Sequence, residues 1–151
     1  MILETPHALK ELIGHEIAVT EWVTISQERI QAFSEVTEDR QWIHVDHERS
    51  KQESPYGTTI AHGFLTLSLL SRFFWEAIKI QRGVRLSVNY GLNRVRFPAP
   101  VLAGARIRAR FTLHTLKEHP EVLEAIFHAI IEAEGSEKPC CVAEWLLRYY
   151  L

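Results

Sequence analysis

Between Ala105 and His114 apolar and polar residues alternate without a break. Ala105, Ile107, Ala109, Phe111 and Leu113 fall on one side, and Arg106, Arg108, Arg110, Thr112 and His114 on the other. A period of two predicts a strand with one buried and one wet face. Leu123 to Glu134 repeats the pattern, with Leu123, Ala125, Phe127, Ala129, Ile131 and Ala133 in register. Cys140 to Tyr150 is a third run, rich in aromatic and β-branched residues. Arg85 to Phe97 is a fourth, with Gly91 as a bulge and Pro98 and Pro100 as its end. His15 to Val23 is a fifth, shorter strand.

From Gly63 to about Ile80 the period changes. Phe64, Leu65, Leu67, Leu69, Leu70, Phe73, Phe74, Trp75 and Ile78 cover most of a helical wheel, which predicts a long helix buried inside the protein. Ser26 is positioned to cap a short helix whose inner side carries Ile30, Phe33 and Val36. His47 to Gln52 predicts a short surface helix, and Ser54-Pro55-Tyr56-Gly57 a turn. Consecutive strands with short connections imply antiparallel pairing. These elements together predict an α+β protein in which a curved antiparallel sheet wraps one long central helix.

Composition narrows the partners. A chain of 151 residues, 46% hydrophobic and 24% charged, suits one globular domain over 1–151 without a stapling metal or disulfide. Seventeen basic against nineteen acidic residues leave a formal charge of −2, which gives no support for a nucleic-acid partner or an anionic membrane surface. The N-terminal stretch lacks the apolar core of a signal peptide. The most apolar segment is interrupted by Arg72, Glu76 and Lys79, so it is not a membrane span. The adjacent Cys140 and Cys141 read as ordinary side chains on opposite faces of a strand, and a reducing cytoplasm is their simplest home.

The candidate chemistry lies between the first and the long helix. Asp39 and His44 are five positions apart, which on a helix leaves them about 140° apart and on a strand puts them on opposite faces. Only a bent, irregular segment lets them converge. A carboxylate beside an imidazole would orient it and raise its pKa. Taken alone, Asp39 also reads as a turn residue and His44 as a hydrogen-bonded core histidine. Gly63 opens the long helix, where amides lack internal partners and the dipole is positive, so its N–H could hold a developing oxyanion; a packing glycine is the competing reading. His62 reads as a residue that holds the loop. Ser71, two turns on, reads as bonded to the Leu67 carbonyl, with a substrate contact as the alternative. His44, Asp46, His47 and His62 lack the spacing of a metal site. Arg94 and Arg96 share a strand face, either as solvated arginines or as holders of phosphates.

Three segments together resemble the MaoC-like hydratase/dehydratase family, the (R)-specific enoyl-CoA hydratases of hot-dog fold. They are Asp39-x-x-x-x-His44, then Ile60-Ala61-His62-Gly63-Phe64-Leu65, then Asn93-Arg94-Val95-Arg96-Phe97-Pro98-Ala99-Pro100-Val101, within a resemblance spanning Gln31 to Leu113. Gln41-Trp42-Ile43-His44-Val45-Asp46 looks like the single-domain, nodulation protein N-like branch. The resemblance implies a catalytic dyad of Asp39 and His44, an oxyanion donor at the Gly63 amide, and a supporting role for Ser71. It also implies a homodimer and reversible hydration of trans-2-enoyl thioesters to (R)-3-hydroxyacyl thioesters, as in fatty acid metabolism. Coenzyme A would enter as part of the substrate, with no dissociable cofactor and no metal. Where many relatives have Asn-Pro in the dyad loop this chain has Gln41-Trp42, which puts a bulky ring where the acyl chain would run. His62, Trp42, Arg94 and Arg96 join Ser71 as expected substrate-side residues. A hot-dog thioesterase and a non-catalytic acyl-thioester binding subunit are the alternative readings; the first carboxylate after Gly63 is Glu76, late for a thioesterase.

Overall fold

A computed structural model of the protein describes residues Met1–Leu151. In chain order it comprises β1 (Ile2–Leu3), a 3-10 helix (Pro6–Leu12), β2 (Glu16–Val19), β3 (Val23–Thr24), α1 (Gln27–Thr37), α2 (Trp42–Val45), α3 (His47–Glu53), α4 (Gly63–Ala77), β4 (Lys79–Ile80), β5 (Leu86–Arg96), β6 (Arg106–His119), β7 (Val122–Ala133) and β8 (Cys141–Tyr150). The main sheet runs β2-β6-β7-β8-β5, with β3 also paired to β6, and every pairing in it is antiparallel. Helix α4 packs across its inner face. This is the antiparallel sheet and long helix expected from the alternation pattern, in the α+β hot-dog arrangement that the resemblance implies.

The core forms where the two periodicities meet. Phe74 of α4 is 1% exposed and sits edge-on to Phe111, Phe127 and Trp145, with ring centroids 4.8–5.4 Å away. These three come from β6, β7 and β8, one inward position on each strand. Aromatic edges against a ring face favour this geometry over a flat sandwich. The result is a floor of close-packed rings beneath the helix rather than an internal tunnel.

Several boundaries differ from the pattern's prediction, each for a local reason. Helix α4 ends at Ala77, short of Ile80, because Lys79 and Ile80 leave to pair in parallel with Ile2 and Leu3. Nor is α4 buried all round: Phe64 is 71% and Trp75 42% exposed. Strand β6 continues to His119, but a register shift between Leu113 and Thr115 inverts the alternation there, which hides its second half. The predicted strand from His15 to Val23 is two pieces. Between them Thr20 turns its hydroxyl into the ladder and accepts the Ala109 amide at 2.9 Å. Strand β5 does carry a bulge between Asn89 and Gly91. In α1, Ser26 caps as expected, accepting from the Arg29 amide, but Ser34 is buried and Val36 is 80% exposed. Cys140 and Cys141 are both buried, because Cys140 precedes the β8 ladder and turns inward where an alternating strand residue would turn out.

Candidate active site

After α1 the backbone turns through a left-handed residue, Glu38 at φ 61°, and enters the segment that carries Asp39 and His44. Hydrogen bonds to its carbonyls shape that segment. The Asp39 carbonyl accepts the Ser34 hydroxyl at 2.6 Å and lies 3.0 Å from Nε2 of His62. The Trp42 carbonyl accepts the Ser50 hydroxyl, and the Ile43 carbonyl accepts the Ile60 amide at 3.0 Å. The His44 carbonyl accepts Nε2 of Gln27 at 2.8 Å, while the Gln27 oxygen accepts the Thr59 hydroxyl. The Asp39, Ile43 and His44 carbonyls have no helical partner and are satisfied this way, while the Trp42 carbonyl also accepts the Asp46 amide at the end of α2. Between them these bonds bend the chain so that Asp39 and His44 converge.

His44 is 6% exposed, and its Nδ1 lies 2.7 Å from the Ile60 carbonyl. A carbonyl only accepts, so Nδ1 carries the proton and Nε2 keeps a lone pair. Burial holds the His44 pKa below its ordinary 6.5. The Ile60 hydrogen bond and the Asp39 charge pull upward, and His62 pushes further down. The expected rise is thus reversed: desolvation of the imidazolium outweighs a carboxylate that is itself exposed to solvent.

Asp39, His44 and His62 each place a donor atom within 4.8 Å of the others. His62 is 3% exposed and stacks on His44 with centroids 3.7 Å apart and planes at 25°. Each imidazole already spends one ring nitrogen on a backbone carbonyl, His44 on Ile60 and His62 on Asp39. Asp46 is occupied as the N-cap of α3, accepting the Arg49 amide at 2.9 Å. The trio thus sets an exposed carboxylate beside two stacked, buried imidazoles.

Gly63 is the first residue of α4, and its amide makes no hydrogen bond within the chain. A Cβ at this position would meet the Phe97 ring at 3.0–3.1 Å. The packing and ligand readings of Gly63 therefore hold together: the ring fills the side-chain position and the N–H stays free. His44 and Gly63 line one cleft of about 240 Å³, with Thr66, Phe97, Val101 and Cys140 among its walls. Burial pushes the Cys140 thiol up to about 11, and its Sγ donates to the Ile131 carbonyl at 3.2 Å. A protonated thiol is a poor nucleophile, which suits a wall facing an electrophile.

Other expected residues lie elsewhere. Trp42 is stacked beneath Arg49, whose guanidinium carbon is 4.4 Å from the ring centroid, and does not line the cleft. Ser71 accepts from Nδ2 of Asn89 at 2.9 Å, not bonding back to Leu67, and lines a separate cleft between α4 and β5 of about 310 Å³. Arg94 and Arg96 do share a face. They border a shallow groove of about 250 Å³ with His128 and Glu144 on the outer side of the sheet. Sequence reasoning missed Gln27, Ser34 and Phe97. Ser34 had a signal, since it lies four residues after Ile30 on the inner stripe of α1. Gln27 had none, because its two partners are distant in the chain.

The family of the MaoC like domain matches residues 9–130. Over 137 residues the chain is 47% identical to 3-hydroxyacyl-thioester dehydratase Z of Mycobacterium tuberculosis, covering 90% of this chain and 89% of the relative. It is 42% identical over 135 residues to nodulation protein N of Rhizobium leguminosarum, covering 89% and 84%. The solved (R)-hydratase from A. caviae involved in PHA biosynthesis superposes with a TM-score of 0.64 at 19% identity, covering 86% of this chain and 95% of that one.

Two outcomes follow from the geometry. With the base held below 6.5, the acid limb of any kcat/KM profile should have its midpoint below that value, since protonating Nε2 removes the lone pair. A midpoint above 6.5 would contradict the burial argument. Gln27→Ala should cost about 1–2 kcal/mol in urea unfolding and lower kcat/KM about tenfold or more, since it frees the His44 carbonyl. A variant with unchanged kinetics would show that Gln27 does not position the loop.

Proposed function

The chain belongs to the MaoC-like dehydratase family, and from that premise we infer that it is a hydro-lyase interconverting trans-2-enoyl and (R)-3-hydroxyacyl thioesters. The observation that carries this reading is a neutral imidazole with a directed lone pair and a free helix-start amide in one cleft, with a carboxylate beside the imidazole. In the hydration direction, Nε2 of His44 takes a proton from water as its oxygen bonds to the β-carbon. The thioester carbonyl gains enolate charge, which the Gly63 amide and the α4 dipole stabilise. Asp39 holds the same water and relays the proton taken by His44 on to the α-carbon, so both side chains end as they began. Water enters whole across the double bond, so the balance requires no redox group, metal or dissociable cofactor. The names borne by the M. tuberculosis and A. caviae relatives support both the thioester substrate and the (R) product.

The reading extends to assembly and surroundings. Strand β5 is an 11-residue edge with Leu86, Tyr90 and Leu92 exposed at 54%, 52% and 43%. An edge of that length with apolar side chains is suited to pairing with another copy, which supports a homodimer. Arg94 and Arg96 form no ion pair and are free to meet the phosphates of a coenzyme A carrier. Two buried free thiols suit a reducing cytoplasm. No helix is long and apolar enough to cross a membrane. A thioesterase reading finds no acidic residue in the first turn of α4.

Purified protein should discharge the conjugated absorbance of crotonyl-CoA without releasing free thiol. His44→Ala and Asp39→Asn should each lower kcat/KM by about 10²–10⁴-fold, the range of general acid–base contributions. Full rates in both variants, or thiol release by the wild type, would overturn the assignment.

A further inference from the structure

Resting on the hydro-lyase reading, we propose that Phe97 and Phe64 form the subsite for the carrier arm, the flexible amide-linked chain common to coenzyme A and acyl carrier protein thioesters. The starting point is connectivity. The carbon whose oxygen sits at the Gly63 amide is bonded directly to the thioester sulfur, so the arm begins within a bond or two of Gly63. Inward from that point the walls are closed. Thr66, Val101 and Cys140 are 2–3% exposed, and behind them lies the aromatic core around Phe74. The short acyl part occupies that inner end, and the arm leaves by the open side.

The open side is aromatic. Phe97 is 41% exposed and in contact with the Gly63 backbone; Phe64, the next residue of α4, is 71% exposed and meets Phe97 edge-on with centroids 6.2 Å apart at 86°. Phe97 lines the cleft that holds the Gly63 amide, and Phe64 packs against Phe97 from the next position of α4. Large apolar side chains left this exposed beside a cleft mark a surface that something covers. A chain of methylenes and planar amides lies well against ring faces and needs no charged partner there. Gly63 is the hinge of the arrangement: its missing side chain lets Phe97 sit against the backbone without covering the amide with a Cβ. Neither ring touches the reacting carbons, so the pair determines which substrates bind rather than how fast the bound one reacts.

The test compares crotonyl thioesters of pantetheine, coenzyme A and acyl carrier protein with S-ethyl crotonothioate, which has no arm. For Phe97→Leu and Phe64→Ala, the preference for the pantetheine over the S-ethyl ester, as a ratio of kcat/KM, should fall about tenfold. The change should lie in KM, with kcat for the pantetheine ester within about threefold of wild type. Comparing the coenzyme A and carrier-protein esters then shows which carrier body the collar receives. An unchanged ratio, or a loss carried by kcat, overturns the proposal. Wild-type protein that hydrates none of these esters would sink the reaction itself, a separate result. Phe64→Ala keeps the test open if Phe97 variants fold poorly, because its ring lies mostly in solvent.

Discussion

The hydrogen bond from Nδ1 of His44 to the Ile60 carbonyl constrains everything else in the cleft. Because a backbone carbonyl cannot donate, it selects one tautomer and aims the remaining lone pair. Because Ile60 also donates its amide to the Ile43 carbonyl, the same residue fixes the loop on which His44 rides. Three positions later the chain becomes α4, whose first amide is free. Base and oxyanion donor are thus tied to one short stretch, Ile60 to Gly63. Their separation is set by the two hydrogen bonds of Ile60 and the three covalent steps from Ile60 to Gly63.

Burial then tunes this arrangement. His44 is enclosed and stacked on His62, which disfavours the imidazolium and keeps the base neutral across the ordinary working range of pH. Asp39 is exposed and tied only loosely by the Gln41 amide at 3.4 Å, which leaves its carboxylate open to a water. A buried imidazole and an exposed carboxylate thus stand within 4.8 Å of each other, placed to share one water. His62 serves both halves, since it holds the Asp39 carbonyl and supports the His44 ring at the residue just before α4.

Much of this was legible in the chain and some was not, for identifiable reasons. The sheet was readable because Ile107 to Leu113 and Leu123 to Ala133 alternate cleanly against a solvated face. The helix was readable because its period changes so abruptly at Gly63. That Asp39 and His44 need an irregular loop followed from their spacing alone. What shapes the loop did not, since Gln27, Ser34 and Ser50 act through distant backbone carbonyls that no periodicity encodes. Trp42 was misplaced because a one-turn helix is too short to show its facing. Helix α4 seemed wholly buried because an exposed aromatic such as Phe64 has the same composition signal as a core one.

Both proton-handling groups stand on one loop, so the water oxygen and the new α-hydrogen reach the double bond from one side. Hydration of crotonyl-CoA in D₂O, with the product's vicinal coupling read by proton NMR, examines that arrangement directly. A single diastereomer with oxygen and deuterium added syn is expected. An anti product, or a mixture of the two, would mean that Asp39 and His44 do not share one water.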